Sequence, residues 1–224
     1  MRAAATLSSM STSQSRPLLA AASVACLLAL TACASGPAGS PAPTSTTVPS
    51  DQRLEAVHPA PPQGRVIGTG TVIDKGGDVQ LCLGAVMESY PPQCQGLPVD
   101  GWTWEGVDGS ETSGDVTWGT YAVYGTYDGE RYTITDPPIM LALYDPIRPE
   151  DPSGGVDGTT SAADLTRIQD DVAARLGSTA LTASSDRGYV WVQVVWDDGS
   201  IQDAADAEFG DDVVFVTSAL REID

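Results

Sequence analysis

Apolar positions recur along the chain with two different periods, and the change of period divides it. Over residues 64–144 the pattern is the two-residue alternation of half-buried strands. Val66, Gly68, Gly70 and Val72 share one parity, and Val79, Leu81 and Leu83 alternate in a second run. Residues 116–127 and 130–135 are β-branched and aromatic, and residues 139–143 add a further apolar run. Asp128-Gly129 stands between two of these runs with the chemistry of a two-residue type I′ hairpin, in which Gly accepts the positive φ. Short strands punctuated by Gly, Pro and Asp predict a small all-β barrel or sandwich, with an OB-like barrel as the specific expectation.

Residues 145–160 break any regular pattern with Pro146, Pro149, Pro152, Gly154, Gly155 and Gly158, and mark a linker between two domains. The period then becomes helical. Ser161-Ala162-Ala163-Asp164 forms a capping-box pattern, Leu165, Ile168, Val172 and Leu176 fall on one helix face, and Gly177 supplies the stop, predicting a helix over 162–176. Residues 189–196 alternate as a strand, with 179–184 as its hairpin partner. A second capping-box pattern, Ser200-Ile201-Gln202-Asp203, opens a short helix that Gly210 ends before an apolar strand at 213–217. Residues 161–224 therefore predict a small α-β-β-α-β sandwich with its helices on one face and a right-handed βαβ crossover, giving an α+β protein as a whole.

The first 63 residues carry neither period. Arg2 and Arg16 flank a Ser/Thr-rich start, and an apolar run at 17–30 leads into Leu30-Thr31-Ala32-Cys33. The run has about fourteen residues, short of the roughly twenty a membrane-spanning helix needs. It resembles the signal peptide of bacterial lipoproteins, whether translation starts at Met1 or Met10. That resemblance implies diacylation of Cys33 and cleavage after Ala32, leaving Cys33 as a lipidated N-terminus on the extracytoplasmic face of the cell membrane. Two or more acyl chains anchor stably where one is marginal. Residues 33–63, rich in Pro, Ser, Thr and Gly, read as a disordered tether reaching at most about 90 Å, with His58 solvated inside it.

Charge then removes whole classes of function. Eleven basic against thirty acidic residues give a formal net charge of −19, and loss of the signal peptide removes two arginines and no acid. Nucleic acid is thereby excluded as a partner. The single histidine, His58, falls inside the expected tether, away from any triad, and one histidine cannot build a zinc site on two or three imidazoles; the sequence also contains no Gly-x-Ser-x-Gly elbow, Walker A loop or Ser-x-x-Lys. Lys75 is the sole lysine, and 22 of the 30 acids are Asp, a bias pointing to a high-GC genome. Seven carboxylates lie between Asp197 and Asp212 without a basic residue. Of these, Asp197, Asp198, Asp211 and Asp212 are the candidate Ca²⁺ ligands, but EF-hand spacing is absent and a solvated acidic face is the favoured reading, with no metal or cofactor expected.

Cys26 leaves with the signal peptide and Cys33 carries lipid, so Cys82 and Cys94 remain as a pair in an oxidising compartment and are expected to form a disulfide. Closing a loop of about thirteen residues contributes roughly 3 kcal/mol in the chain-entropy model. Leu81-Cys82-Leu83-Gly84, then Ser89-Tyr90-Pro91-Pro92-Gln93-Cys94, then Gly101-Trp102 and Trp104, resemble a group of actinobacterial lipoproteins and secreted proteins. The resemblance implies envelope location and a disulfide, and brings no catalytic residue. The functional expectation is a non-enzymatic module that binds or positions another envelope component, an envelope protein or glycan. Its alternatives are a cell-wall glycan binder stacking sugars on Trp102 and Trp104, and, further off, a two-carboxylate hydrolase.

Overall fold

The computed structural model describes residues 49–223. The signal peptide, Ala32, Cys33 and the first part of the expected tether lie outside the described residues, and among those described no helix is long and apolar enough to cross a membrane. The first half is a five-stranded barrel. Its strands are β1 (Val66–Lys75), β2 (Asp78–Cys82), β3 (Leu97–Asp100), β5 (Val116–Tyr127) and β6 (Tyr132–Ile134), with two short additions on β5, β4 (Glu111–Ser113) and β7 (Ile139–Met140). β1 pairs with β2, β2 with β3, β3 in parallel with β6, β6 with β5, and β5 returns to β1 from Val66↔Gly125 to Lys75↔Val116. This Greek-key circuit, closed on itself with one parallel step, is the expected OB-like connectivity.

Closure works because the interior parity is filled without crowding. Val66, Val72, Leu81, Val99, Tyr121 and Tyr132 are buried in one cluster with Leu220. Between the two valines of β1 the glycines make room: a Cβ on Gly70 would run into the Cys82 carbonyl oxygen. Both buried tyrosines have acceptors: the Tyr121 hydroxyl donates to the Asp108 carbonyl at 3.1 Å, and the Tyr132 hydroxyl lies 2.7 Å from the Val123 carbonyl and 3.0 Å from that of Val66. Burial pushes the ionisation of Tyr132 well above the usual tyrosine range.

The expected hairpin between β5 and β6 forms with a different turn. Its last rung is Tyr127↔Tyr132, so the loop has four residues, and only Gly129 takes positive φ, 104°. The Asp128 carboxylate accepts the backbone N–H groups of Glu130 and Arg131 at 2.9 and 2.7 Å, and this local satisfaction supports a longer turn than type I′. Two-residue turns with both φ positive occur instead at Gly76-Gly77 (64° and 101°) and Arg187-Gly188 (49° and 81°).

The second half follows the predicted order: α1 (Ala162–Leu176), β8 (Ala180–Asp186), β9 (Tyr189–Val194), α2 (Ser200–Phe209) and β10 (Val214–Ser218). The sheet order is β10-β9-β8, antiparallel across the hairpin and parallel across the α2 crossover. Leu165, Ile168, Val172 and Leu176 of α1 and Ile201 and Ala205 of α2 pack on the valines of β9. Ser161 caps α1 as expected, accepting the Asp164 N–H at 3.2 Å. Ser200 does not cap α2. Gly199 occupies the cap at φ 101°, and the Asp197 carboxylate reaches over it to accept the N–H groups of Ile201 and Gln202 at 2.9 and 3.2 Å.

Two features join the halves. After β10 the chain returns to the barrel, where Leu220 enters the core and β11 (Arg221–Glu222) pairs with Ile67 and Val66. At the other end, part of the stretch expected to be tether is folded. Residues 50–52 and 54–56 form single 3₁₀ turns, and Leu54, 1% exposed, fills a place in the helix–sheet core. Low average hydrophobicity predicted disorder there, but one buried leucine, a half-buried Val57 and polar anchors around them dock the segment.

Candidate binding groove

A hollow of about 1090 Å³ runs between the barrel and the start of β8. Its floor is the β2–β3 pair, where Gln80 and Leu81 face Pro98 and Leu97 in the antiparallel register. One wall is the loop joining these strands. Cys82 and Cys94 are disulfide-bonded, Cα to Cα 6.0 Å, and the Met87 N–H donates to the Gln93 carbonyl at 2.8 Å, so the excursion is cross-linked twice. The other wall carries Ser178, Ala180 and Leu181. The β8–β9 register shifts between Ala180 and Thr182, leaving Leu181 as the extra residue of a bulge. Gly84 lets the loop approach that bulge: a Cβ there would sit 3.2 Å from the Leu181 Cβ.

The lining has a definite chemical character. Leu83, Leu97 and Leu181 give aliphatic surface, Gln80, Gln93 and Gln95 give neutral amides that both donate and accept, and Lys75 stands at the margin. In a chain of net charge −19, the groove residues include no carboxylate and no aromatic ring. The stapled loop exposes Met87 (65%), which belongs to the lining, and beside the groove Tyr90 (73%), edge-on to Trp118 at 5.2 Å. Met and Tyr held out on a constrained loop are the kind of residues that anchor protein interfaces.

Of the sequence-predicted sites the disulfide belongs to the groove wall, and the aromatic platform and the acidic residues fall elsewhere. Trp102 and Trp104 do come together, 5.1 Å apart, but perpendicular to each other and packed on Tyr121 over the barrel interior. Trp104 Nε1 donates to Asp74 at 2.9 Å, whereas Trp102 Nε1 is buried without a partner among the described residues. Neither ring belongs to the groove. Asp197 and Asp198 are taken up by the start of α2. Asp198 accepts from the Ser200 hydroxyl and from the Ala60 N–H, which holds its carboxyl below the usual range. Asp211 and Asp212 are exposed in the turn before β10, and no cluster of three or more potential metal ligands exists among the described residues. His58 is exposed and borders a second hollow of about 540 Å³ against α2.

Glu55 and Glu208 are two carboxylates that share a neighbour, Arg175, which forms ion pairs with both. Glu208 is held below the ordinary carboxylate range first by its hydrogen bonds from Arg175. Glu55 is lowered first by its own backbone N–H and then by Arg175. A general acid needs the opposite shift, so this pair is an ion-pair clamp.

Sequence reasoning missed the groove because its walls are 80 to 100 residues apart. The available local signal was the gathering of Gln80, Gln93 and Gln95 about the cysteine pair, flanked by Gly84 and Gly96. It also missed the aromatic cluster on the other face of the small sheet, where half-buried Tyr189 and Trp191 and buried Phe215 gather with ring centroids 4.9 to 6.0 Å apart and the Arg187 guanidinium lies 5.3 Å over Trp191. No protein-family model, curated protein or solved structure matches this chain.

Proposed function

We propose that the protein is an extracytoplasmic binding module, anchored to the cell membrane through lipid on Cys33, that holds an extended segment of an envelope protein in the groove between the disulfide loop and β8. The observation that carries this reading is the lining. Aliphatic side chains interleaved with three glutamine amides suit a polypeptide, whose backbone both donates and accepts hydrogen bonds while alternate side chains seek apolar seats. A glycan would call for an exposed ring to stack on, and the groove offers none. The role is binding rather than catalysis: Lys75 is the titratable group of the lining, and the clamp carboxylates are shifted away from acid catalysis.

The test uses the native lipidated protein in cells. In-cell crosslinking is expected to recover one polypeptide partner, lost on Leu181→Asp and kept on Trp102→Ala. Recovery insensitive to Leu181→Asp, or recovery of glycan alone, contradicts the reading. Cys33→Ala is expected to release the protein from the membrane fraction, and unchanged fractionation would remove the anchor.

A further inference from the structure

Residues 53–60 sit on the α1–α2 face in the manner of a bound peptide. Leu54 is 1% exposed in the core while Arg53, Glu55 and Ala56 around it are exposed. No strand pairing ties the segment to either sheet among the described residues. Its holds are discrete: Leu54 in its socket, the Leu54 N–H on Glu208 at 2.8 Å, Glu55 on Arg175, the Ala60 N–H on Asp198 at 2.9 Å, and the Trp196 indole N–H on the Ala60 carbonyl at 2.9 Å. Arg175 lies between Glu55 and Glu208 and serves both sides of the contact.

We infer that this face is a receptor site for a Leu-Glu-bearing linear segment, occupied in cis by the chain's own residues 53–60, and that the segment leaves it without unfolding the rest. One buried apolar anchor, Leu54, a half-buried Val57 beside it and a few partly exposed polar contacts put its opening at the low end of local stabilities, whereas the sheet and helices beneath it keep their own ladders and core. Under the lipid-anchor reading the consequence is reach. Release of the segment adds residues 49–63 to whatever spacer precedes them, about 45 Å when fully extended. The same site would accept the segment of a second copy.

The experiment needs no anchor, so its outcome is independent of that reading. Hydrogen exchange on the full chain is expected to show the Leu54, Ala56 and Ala60 amides opening at least tenfold more readily than those of Val172 and Val192. In Leu54→Asp the segment should lose protection while Val172 and Val192 keep theirs. A fluorescein-labelled peptide of residues 49–62 should then bind the Leu54→Asp chain saturably and the unmodified chain at least tenfold more weakly, since the cis segment competes at high effective concentration. Its Leu54→Asp version should not bind. Loss of Val172 and Val192 protection together with the segment, or equal binding of the peptide to both chains, overturns the inference.

Discussion

The barrel and the helix-covered sheet solve the same problem by opposite routes. The barrel obtains its order from a circuit of pairings between strands far apart in sequence, such as Val66↔Gly125, and tolerates two tyrosines inside because the hydroxyls of Tyr121 and Tyr132 both find carbonyl acceptors. The second half obtains its order from helices whose apolar stripes are written locally and from one strand with valine at alternate positions. The difference teaches where each half is fragile: the barrel at points of backbone approach, the sandwich at points of side-chain volume.

Breaking that contrast begins with Gly70→Val. The added side chain meets the Cys82 backbone, which cannot yield without opening the β1–β2 pair, so the expected cost is about 3 kcal/mol or more. Exchange measured half by half should show the barrel amides exposed first. Ile201→Ala is the counterpart in the sandwich. It removes volume from a fully buried position, and a loss of about 3 kcal/mol is expected in urea titration, with protection falling in β9 and the helices before β1 and β5. If the two variants give the same exchange pattern, the halves are one cooperative unit and the contrast fails.

These first two effects also separate what was legible in the sequence from what was not. The helix at Ala162–Leu176 and the order α-β-β-α-β were readable because Leu165, Ile168, Val172 and Leu176 repeat within a few residues of one another. The barrel strands were readable one at a time, and an OB-like barrel was inferable from their number and punctuation. The turn after β5 was not, because the Asp128 side chain satisfies two backbone N–H groups that the dipeptide rule leaves out. The start of α2 was misread for a related reason: the capping oxygen comes from Asp197, outside the capping-box spacing. Leu54 was hidden by the proline-rich composition around it. The groove could not be read at all, since it depends on how Leu181 and Gly84 meet in space.

A smaller effect sharpens the role of the cross-linked wall. Replacing Cys82 and Cys94 together by serine should cost roughly 2–3 kcal/mol through the freed loop. Loss of partner recovery while the α1 and β9 amides stay protected would assign the disulfide to the groove rather than to the fold at large. The smallest expected effect is electrostatic. Glu208 and Glu55 titrate below their unfolded values in the folded protein, so the stability they contribute is complete above the ordinary glutamate range and is lost as pH falls through their lowered folded values. Urea titrations from pH 7 to pH 3 should show this acid-side loss, and Arg175→Ala should flatten it. An unchanged slope in Arg175→Ala would mean that the clamp holds nothing.

The most direct measurement of the central claim is site-specific photocrosslinking from Ala85, which borders the groove, in the native lipidated protein. A matched crosslinker at Thr182, on the exposed polar side of β8, serves as the control. The account predicts an adduct from Ala85, absent from Thr182, whose fragments map to one short continuous stretch of a single polypeptide. Adducts of equal yield from both positions, or none from Ala85, would contradict it.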